Sequence, residues 1–188
     1  MSLGKTFPFP VRGRRSVRLR GHDYSAGTYF VTICADNRVP TFGDVVQRRV
    51  HLSAAGRVAR ACWLQITRHH PHVRLDAFVV MPDHIHGILC FTSPSVSPDR
   101  RRRFGDAVPG SLSTILGSYK AEVTKRINAE RHTPGQRVWQ RNYYEHVVRD
   151  QTDLHQIRWY IITNPIRWNR RGRSDLRAES GLADGGNV

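Results

Sequence analysis

Two histidines one residue apart lie in the segment Met81-Pro82-Asp83-His84-Ile85-His86-Gly87. On a β-strand alternate side chains share a face, so both imidazoles point one way and Ile85 the other. Their Cα atoms then stand roughly 6.5–7 Å apart, close enough for two ring nitrogens to converge on one cation. Gly87 leaves space where a ligand backbone can approach. A catalytic cation needs a further ligand and open positions. Tyr160 and Asn164 are four residues apart, hence neighbours on one helical face. The Asn164 amide oxygen would complete a mixed nitrogen–oxygen set that suits Mg²⁺ or Mn²⁺, and by ligand type alone admits Zn²⁺. Tyr160 would then stand one turn from the metal ligand, placed to attack what the cation polarises. Each feature also has an ordinary reading: a half-buried strand, an amphipathic core tyrosine, an asparagine at a helix end before proline. What favours chemistry is their combination in a strongly basic chain.

The elements that must position these residues follow from periodicity. Tyr29–Ala35 is β-branched and aromatic and reads as a central strand, with Asp44–Leu52 pairing back as a hairpin. Ser53 caps a helix reaching about Arg68, with Ala55, Val58, Cys62 and Ile66 on one face. Val73–Met81 and His84–Phe91 form a hairpin around a tight Pro82-Asp83 turn. Ser111 opens a second helix whose inner stripe is Leu112, Ile115, Leu116, Tyr119, Val123 and Ile127. Val138–Val148 is extended, and Asp150 or Thr152 caps a closing helix that packs Leu154, Ile157 and Ile161 inward. Asn164 precedes Pro165, so this helix is expected to stop or kink there. The order strand, helix, strand, strand, helix, strand predicts an α+β, ferredoxin-like split βαβ sandwich. Its antiparallel sheet would carry two helices on one face and leave the other free to bind.

The 188 residues allow one domain over 21–168, between a basic arm at 1–20 and a basic, then Gly-rich tail at 169–188. A mobile basic loop is expected at 93–110. The chain has 30 Lys+Arg against 15 Asp+Glu, a formal net charge of +15, and nearly all of the excess is Arg. Arg suits forked phosphate contacts and stacking on bases, so the expected partner is a nucleic acid. The candidate phosphate contacts are Arg12, Arg14, Arg15, Lys120, Arg167, Arg170 and Arg171. Cys34, Cys62 and Cys90 have no Cys-x-x-Cys spacing and read as free thiols of a reduced compartment. With no signal core and no apolar run of membrane length, a cytoplasmic, nucleoid-associated protein is expected.

The segment Phe78-Val79-Val80-Met81-Pro82-Asp83-His84-Ile85-His86 resembles the His-hydrophobe-His core of the HUH single-strand DNA transposases. The resemblance is nearest to the REP-associated tyrosine transposases, relatives of single-tyrosine insertion-sequence transposases. Arg18–Asn37, Gly117-Ser118-Tyr119-Lys120, Val138–Asp150 and Tyr160–Pro165 match in the same order, so it spans about residues 16–168. It implies a metal held by His84, His86 and Asn164, with Tyr160 as the nucleophile. It also implies single-stranded or hairpin DNA from repeated palindromes as partner, and a monomer or homodimer. Asp83 stands where the family has Asn, which suits an outer-shell carboxylate or a turn. Trp159 replaces an expected charged residue, as a stacking surface or as core. Tyr143 and Tyr144 are rival nucleophiles without a metal ligand four residues on. The implied reaction is strand transesterification through a 5′-phosphotyrosine, in which a phenol of ordinary pKa about 10 must attack as phenolate. No general base stands out, and Lys120 is one candidate. The alternative is a hairpin-binding protein with a disused site. A histidine phosphoesterase would need a third His where Ile88 stands, and a relaxase or initiator nickase would be longer.

Overall fold

The computed structural model describes residues 26–92 and 109–179, with side chains as far as Trp168. β1 (Gly27–Cys34) is rich in β-branched and aromatic residues and is buried on both faces from Tyr29 onward, as a central strand must be. β2 (Gly43–Val46) and β3 (Arg49–Leu52) form a separate hairpin. Ser53 Oγ accepts the Gly56 N–H at 3.0 Å and so starts α1 (Ala54–Leu64), which a short α2 (Ile66–His69) follows. β4 (Val73–Val80) and β5 (His84–Phe91) are the expected hairpin around Pro82-Asp83, with the Met81 N–H donating to the His84 carbonyl at 2.8 Å. α3 (Leu112–Arg131) buries all six residues of its expected stripe. β6 (Tyr144–Val147) precedes α4 (Gln151–Glu179), whose first turn is capped by Asp150 Oδ1 accepting the Asp153 N–H at 2.8 Å.

The main sheet has four strands in the order β4-β5-β1-β6, with every neighbouring pair antiparallel. Strand alternation divides the core. Tyr29, Val31 and Ile33 of β1 join Trp63, Leu112, Leu116, Tyr119 and Val123 in a large cluster beneath α1 and α3. Phe30 of β1 and Ile88 of β5 meet Ile157, Tyr160 and Ile161 of α4 on the opposite face.

Three expectations change here. The sheet's second face is not left free, because the apolar side of α4 closes over part of it. Nor does the closing helix stop at Pro165: α4 runs through it to Glu179. Proline removes the N–H that would reach the Ile161 carbonyl and crowds that carbonyl with its ring, but its fixed φ is compatible with a helix. Gly87 makes room for core rather than for a ligand. Its face is opposite that of the histidines, and a Cβ there would lie 2.2 Å from Trp63 Cζ2.

Candidate active site

β5 places His84 and His86 on the α4 side of the sheet, and register sets their neighbours. Cys34 lies opposite His84 and Thr32 opposite His86 on β1, so all four side chains share one face. Thr32 Oγ1 is 2.8 Å from His86 Nδ1. The Asp83 carboxylate, leaving the turn, makes a short hydrogen bond with His84 Nδ1 through Oδ1, while Arg38 Nη1 reaches its Oδ2 at 3.3 Å. With both Nδ1 atoms engaged, the two Nε2 atoms face each other 2.9 Å apart. Neutral imidazoles that donate from Nδ1 present lone pairs at Nε2, and two facing lone pairs repel unless a cation or proton lies between them. A carboxylate or hydroxyl on the far nitrogen is also how metal-binding histidines are held. This donor set therefore fits a divalent cation. Among the described residues no three His, Cys, Asp or Glu side chains cluster as a metal site.

α4 brings the remaining groups. The Tyr160 hydroxyl is 3.4 Å from His86 Nε2, and the two rings are 5.1 Å apart. Two turns later Trp168 lies 5.9 Å, ring to ring, from His84. Asn164 is midway between these two contacts on the same helical face and is buried. Phe30 packs edge-on to Tyr160 and 5.4 Å from the His86 ring, and the Arg167 guanidinium carbon sits 5.7 Å from the centre of the Tyr160 ring. His84, His86, Tyr160 and Asn164 are 4, 2, 7 and 7% exposed.

Two side-chain staples fix α4 to the sheet. Arg158 grips Asp76 with Nε–Oδ1 at 2.9 Å and Nη2–Oδ2 at 2.5 Å, at a register slip in β4 between Leu75 and Phe78. The Arg158 hydrogen bond holds the Asp76 carboxyl below the ordinary carboxylate range. Asp153 Oδ2 is 2.8 Å from His146 Nε2 of β6 and accepts the Arg149 N–H at 3.1 Å. Burial pushes the Asp153 carboxyl up, but those two hydrogen bonds outweigh it and leave it lowered.

No family model matches the chain. An uncharacterized protein of Haemophilus influenzae is 36% identical over 172 residues, covering 85% of this chain and 92% of the relative. A putative REP-associated tyrosine transposase of the same organism is 25% identical over 142 residues, 75% of this chain and 71% of that one. This chain is a distant relative of the REP-associated tyrosine transposases. It belongs to one family with the uncharacterized Haemophilus protein. A solved REP-associated tyrosine transposase, bound to a REP hairpin, shares the fold with a TM-score of 0.56 at 22% identity, over 79% of this chain and 72% of that one.

The structure brings His84, His86 and Tyr160 to one face of the sheet, with Asn164 buried on the same face of α4 as Tyr160. Asp83 is bonded to His84, one of its expected roles, and Thr32 and Arg38 are additions. Thr32 carries no signal in the sequence, because only the β1–β5 register makes it the neighbour of His86. Tyr144 is opposite Thr32 and so on the same face, one strand further from the histidines, whereas Tyr143 packs on the α3 side. Trp159 is 63% exposed and is not core. Lys120 Nζ donates to the carbonyls of Gln140 and Arg141 at 2.6 and 3.2 Å, and burial lowers its pKa. The three cysteines are free, and burial pushes each thiol up. Arg12, Arg14 and Arg15 of the arm lie outside the described residues, as do Arg100–Arg103. The side chains of Arg170 and Arg171 do as well. Among the described residues no helix is long and apolar enough to cross a membrane.

Proposed function

We propose that this chain is a metal-dependent single-strand DNA transposase that cuts and rejoins DNA beside palindromic-repeat hairpins through a 5′-phosphotyrosine on Tyr160. One observation carries the reading: the Tyr160 hydroxyl reaches the same His86 Nε2 that faces His84 Nε2, while Asp83 and Thr32 hold the far nitrogens. The β-α-β-β-α-β order and the sheet order β4-β5-β1-β6 support the ferredoxin-like assignment. His84, His86 and Asn164 would hold Mg²⁺ or Mn²⁺, which when bound supplies Lewis-acid polarisation of a phosphate oxygen. Tyr160 Oη loses its proton and forms a bond to phosphorus. The bond from phosphorus to the 3′ oxygen breaks, and that oxygen leaves as a 3′-hydroxyl. Because the phosphodiester is replaced by a phosphotyrosine ester, another 3′-hydroxyl can reverse the step, join a strand and return the phenol. Arg167, against the Tyr160 ring, would meet a phosphate oxygen of the incoming strand.

A second reading, a hairpin-binding protein with a disused site, draws on the burial of Tyr160 and both histidines. Against it, the Arg167 side chain lying on the Tyr160 ring is itself exposed, so a single solvent-facing side chain covers the tyrosine on that side. Incubation of labelled hairpin DNA carrying a single-stranded flank, with Mg²⁺ or Mn²⁺, separates the two readings on a denaturing gel. The native chain should form a covalent adduct that disappears with EDTA. Tyr160→Phe should lose it by a factor on the order of 10⁴ or more while still binding DNA. Undiminished capture by Tyr160→Phe, or none by the native chain, would sink the proposal.

A further inference from the structure

On the α3 side of the sheet, the face opposite Tyr160, the second half of α3 and the segment after it line a cleft of about 1020 Å³. It lies at the top of the usual range for a small-molecule pocket, roughly 300–1,000 Å³, which suits a stretch of chain better than a lone ion. Lys125, His132, Arg137 and Arg141 line it, and none of its lining residues is acidic. Its floor is apolar, with Val138 and Trp139 buried. Lys120 spans it by donating to the Gln140 and Arg141 carbonyls, and Asn128 Nδ2 holds the opposite end by donating to the Gln136 carbonyl at 2.9 Å. The cleft is thus shaped by hydrogen bonds within the chain, and Lys125, Arg137 and Arg141 are exposed at its rim.

Its position relative to the histidines matters as much as its charge. The Gln140 N–H donates to the Cys34 carbonyl at 2.9 Å, and Trp139 bridges to Ala35. Cys34 is in turn opposite His84 on β5. The cleft floor is therefore two strand spacings from His84, roughly 10 Å, at the end of the sheet that carries the Pro82-Asp83 turn. A cationic rim and acid-free lining are the features that track the phosphates of a single strand.

We propose that this cleft binds a single-stranded DNA segment, a few nucleotides long, that continues around this end of the sheet past Arg38 to the Tyr160 site. This rests on the transposase reading for the identity of the strand, and on the cleft alone for its binding.

The test uses the full chain and a short fluorescein-labelled oligodeoxythymidylate, with affinity followed by anisotropy across a salt series. The triple variant Lys125→Glu/Arg137→Glu/Arg141→Glu should bind at least about tenfold more weakly. Its log–log salt slope should be shallower by about two, at roughly 0.7 for each phosphate no longer neutralised. A charge-matched control, Arg49→Glu/Arg60→Glu/Arg68→Glu on the exposed hairpin and α1/α2 surface, should lose much less. Equal losses in the two triples, or native affinity in the cleft triple, would overturn the proposal. Photo-crosslinking of the unaltered chain to a bromodeoxyuridine oligonucleotide serves if a variant misfolds. Adducts should map to 125–141, and adducts confined elsewhere would refute the cleft. Crosslinks there without covalent capture at Tyr160 would leave the cleft standing and remove the transposase reading. Covalent capture with no crosslink in 125–141 would do the reverse.

Discussion

The α1/α3 face of the sheet is closed by Trp63, Tyr119 and the aliphatic stripe of α3, and among the described residues no ion pair runs through its centre. The α4 face closes over Phe30, Ile88, Ile157, Tyr160 and Ile161, beside an island of polar groups at His84, His86, Thr32 and Asp83. Where the first helices adhere through apolar area, α4 is fastened at its edges by Asp76–Arg158 and Asp153–His146. A buried imidazole pair and a tyrosine hydroxyl cannot sit in the middle of an apolar interface without partners. Confining them to the smaller face lets the larger one carry the stability, and the staples then set where Tyr160 stands.

The largest effect should come from emptying the large face. Trp63 is fully buried, edge-on to Tyr119 and stacked near Phe78, so Trp63→Ala should cost about 3–5 kcal/mol in urea unfolding. His84→Ala with His86→Ala should cost clearly less; equal costs would erase the division between the faces. Next comes the support of the histidines. Asp83→Ala frees His84 Nδ1, and Mn²⁺ affinity measured by calorimetry should fall about 10–100-fold, with Asp83→Asn falling less. Unchanged affinity would make Asp83 a turn residue only.

The smallest effect concerns the staples. The Arg158 hydrogen bond depresses the Asp76 carboxyl in the folded state, so its stabilisation is full above the ordinary carboxylate pKa, about 4. It is lost as pH falls through the lower folded value. A partly exposed pair of this kind contributes at most about 1 kcal/mol. Native chain and Asp76→Asn should therefore differ in urea midpoint at pH 7 and converge as pH drops below 4; a gap that persists would assign the difference to something other than this charge.

Much of this arrangement was legible residue by residue. Alternation placed His84 and His86 on one face and Ile85 on the other, and the 3.6-residue period picked out the buried stripe of α3. What the sequence hid were contacts set by register and by distant pairing. Thr32 meets His86 across 54 positions, and Arg158 meets Asp76 across 82. Gly87 misled because a local rule shows that space is needed, but not that Trp63 fills it. Pro165 allowed a stop or a kink by the local rule, and the helix does not stop there but runs on to where Trp168 packs against His84.

Peptide mapping of the covalent DNA adduct bears most directly on the claim that Tyr160, among the tyrosines near the histidines, is the nucleophile. After nuclease trimming, the remaining nucleotide should be found on Tyr160, joined through a 5′ phosphate. An adduct on Tyr143 or Tyr144, or no adduct from metal-supplied native chain, would contradict the account.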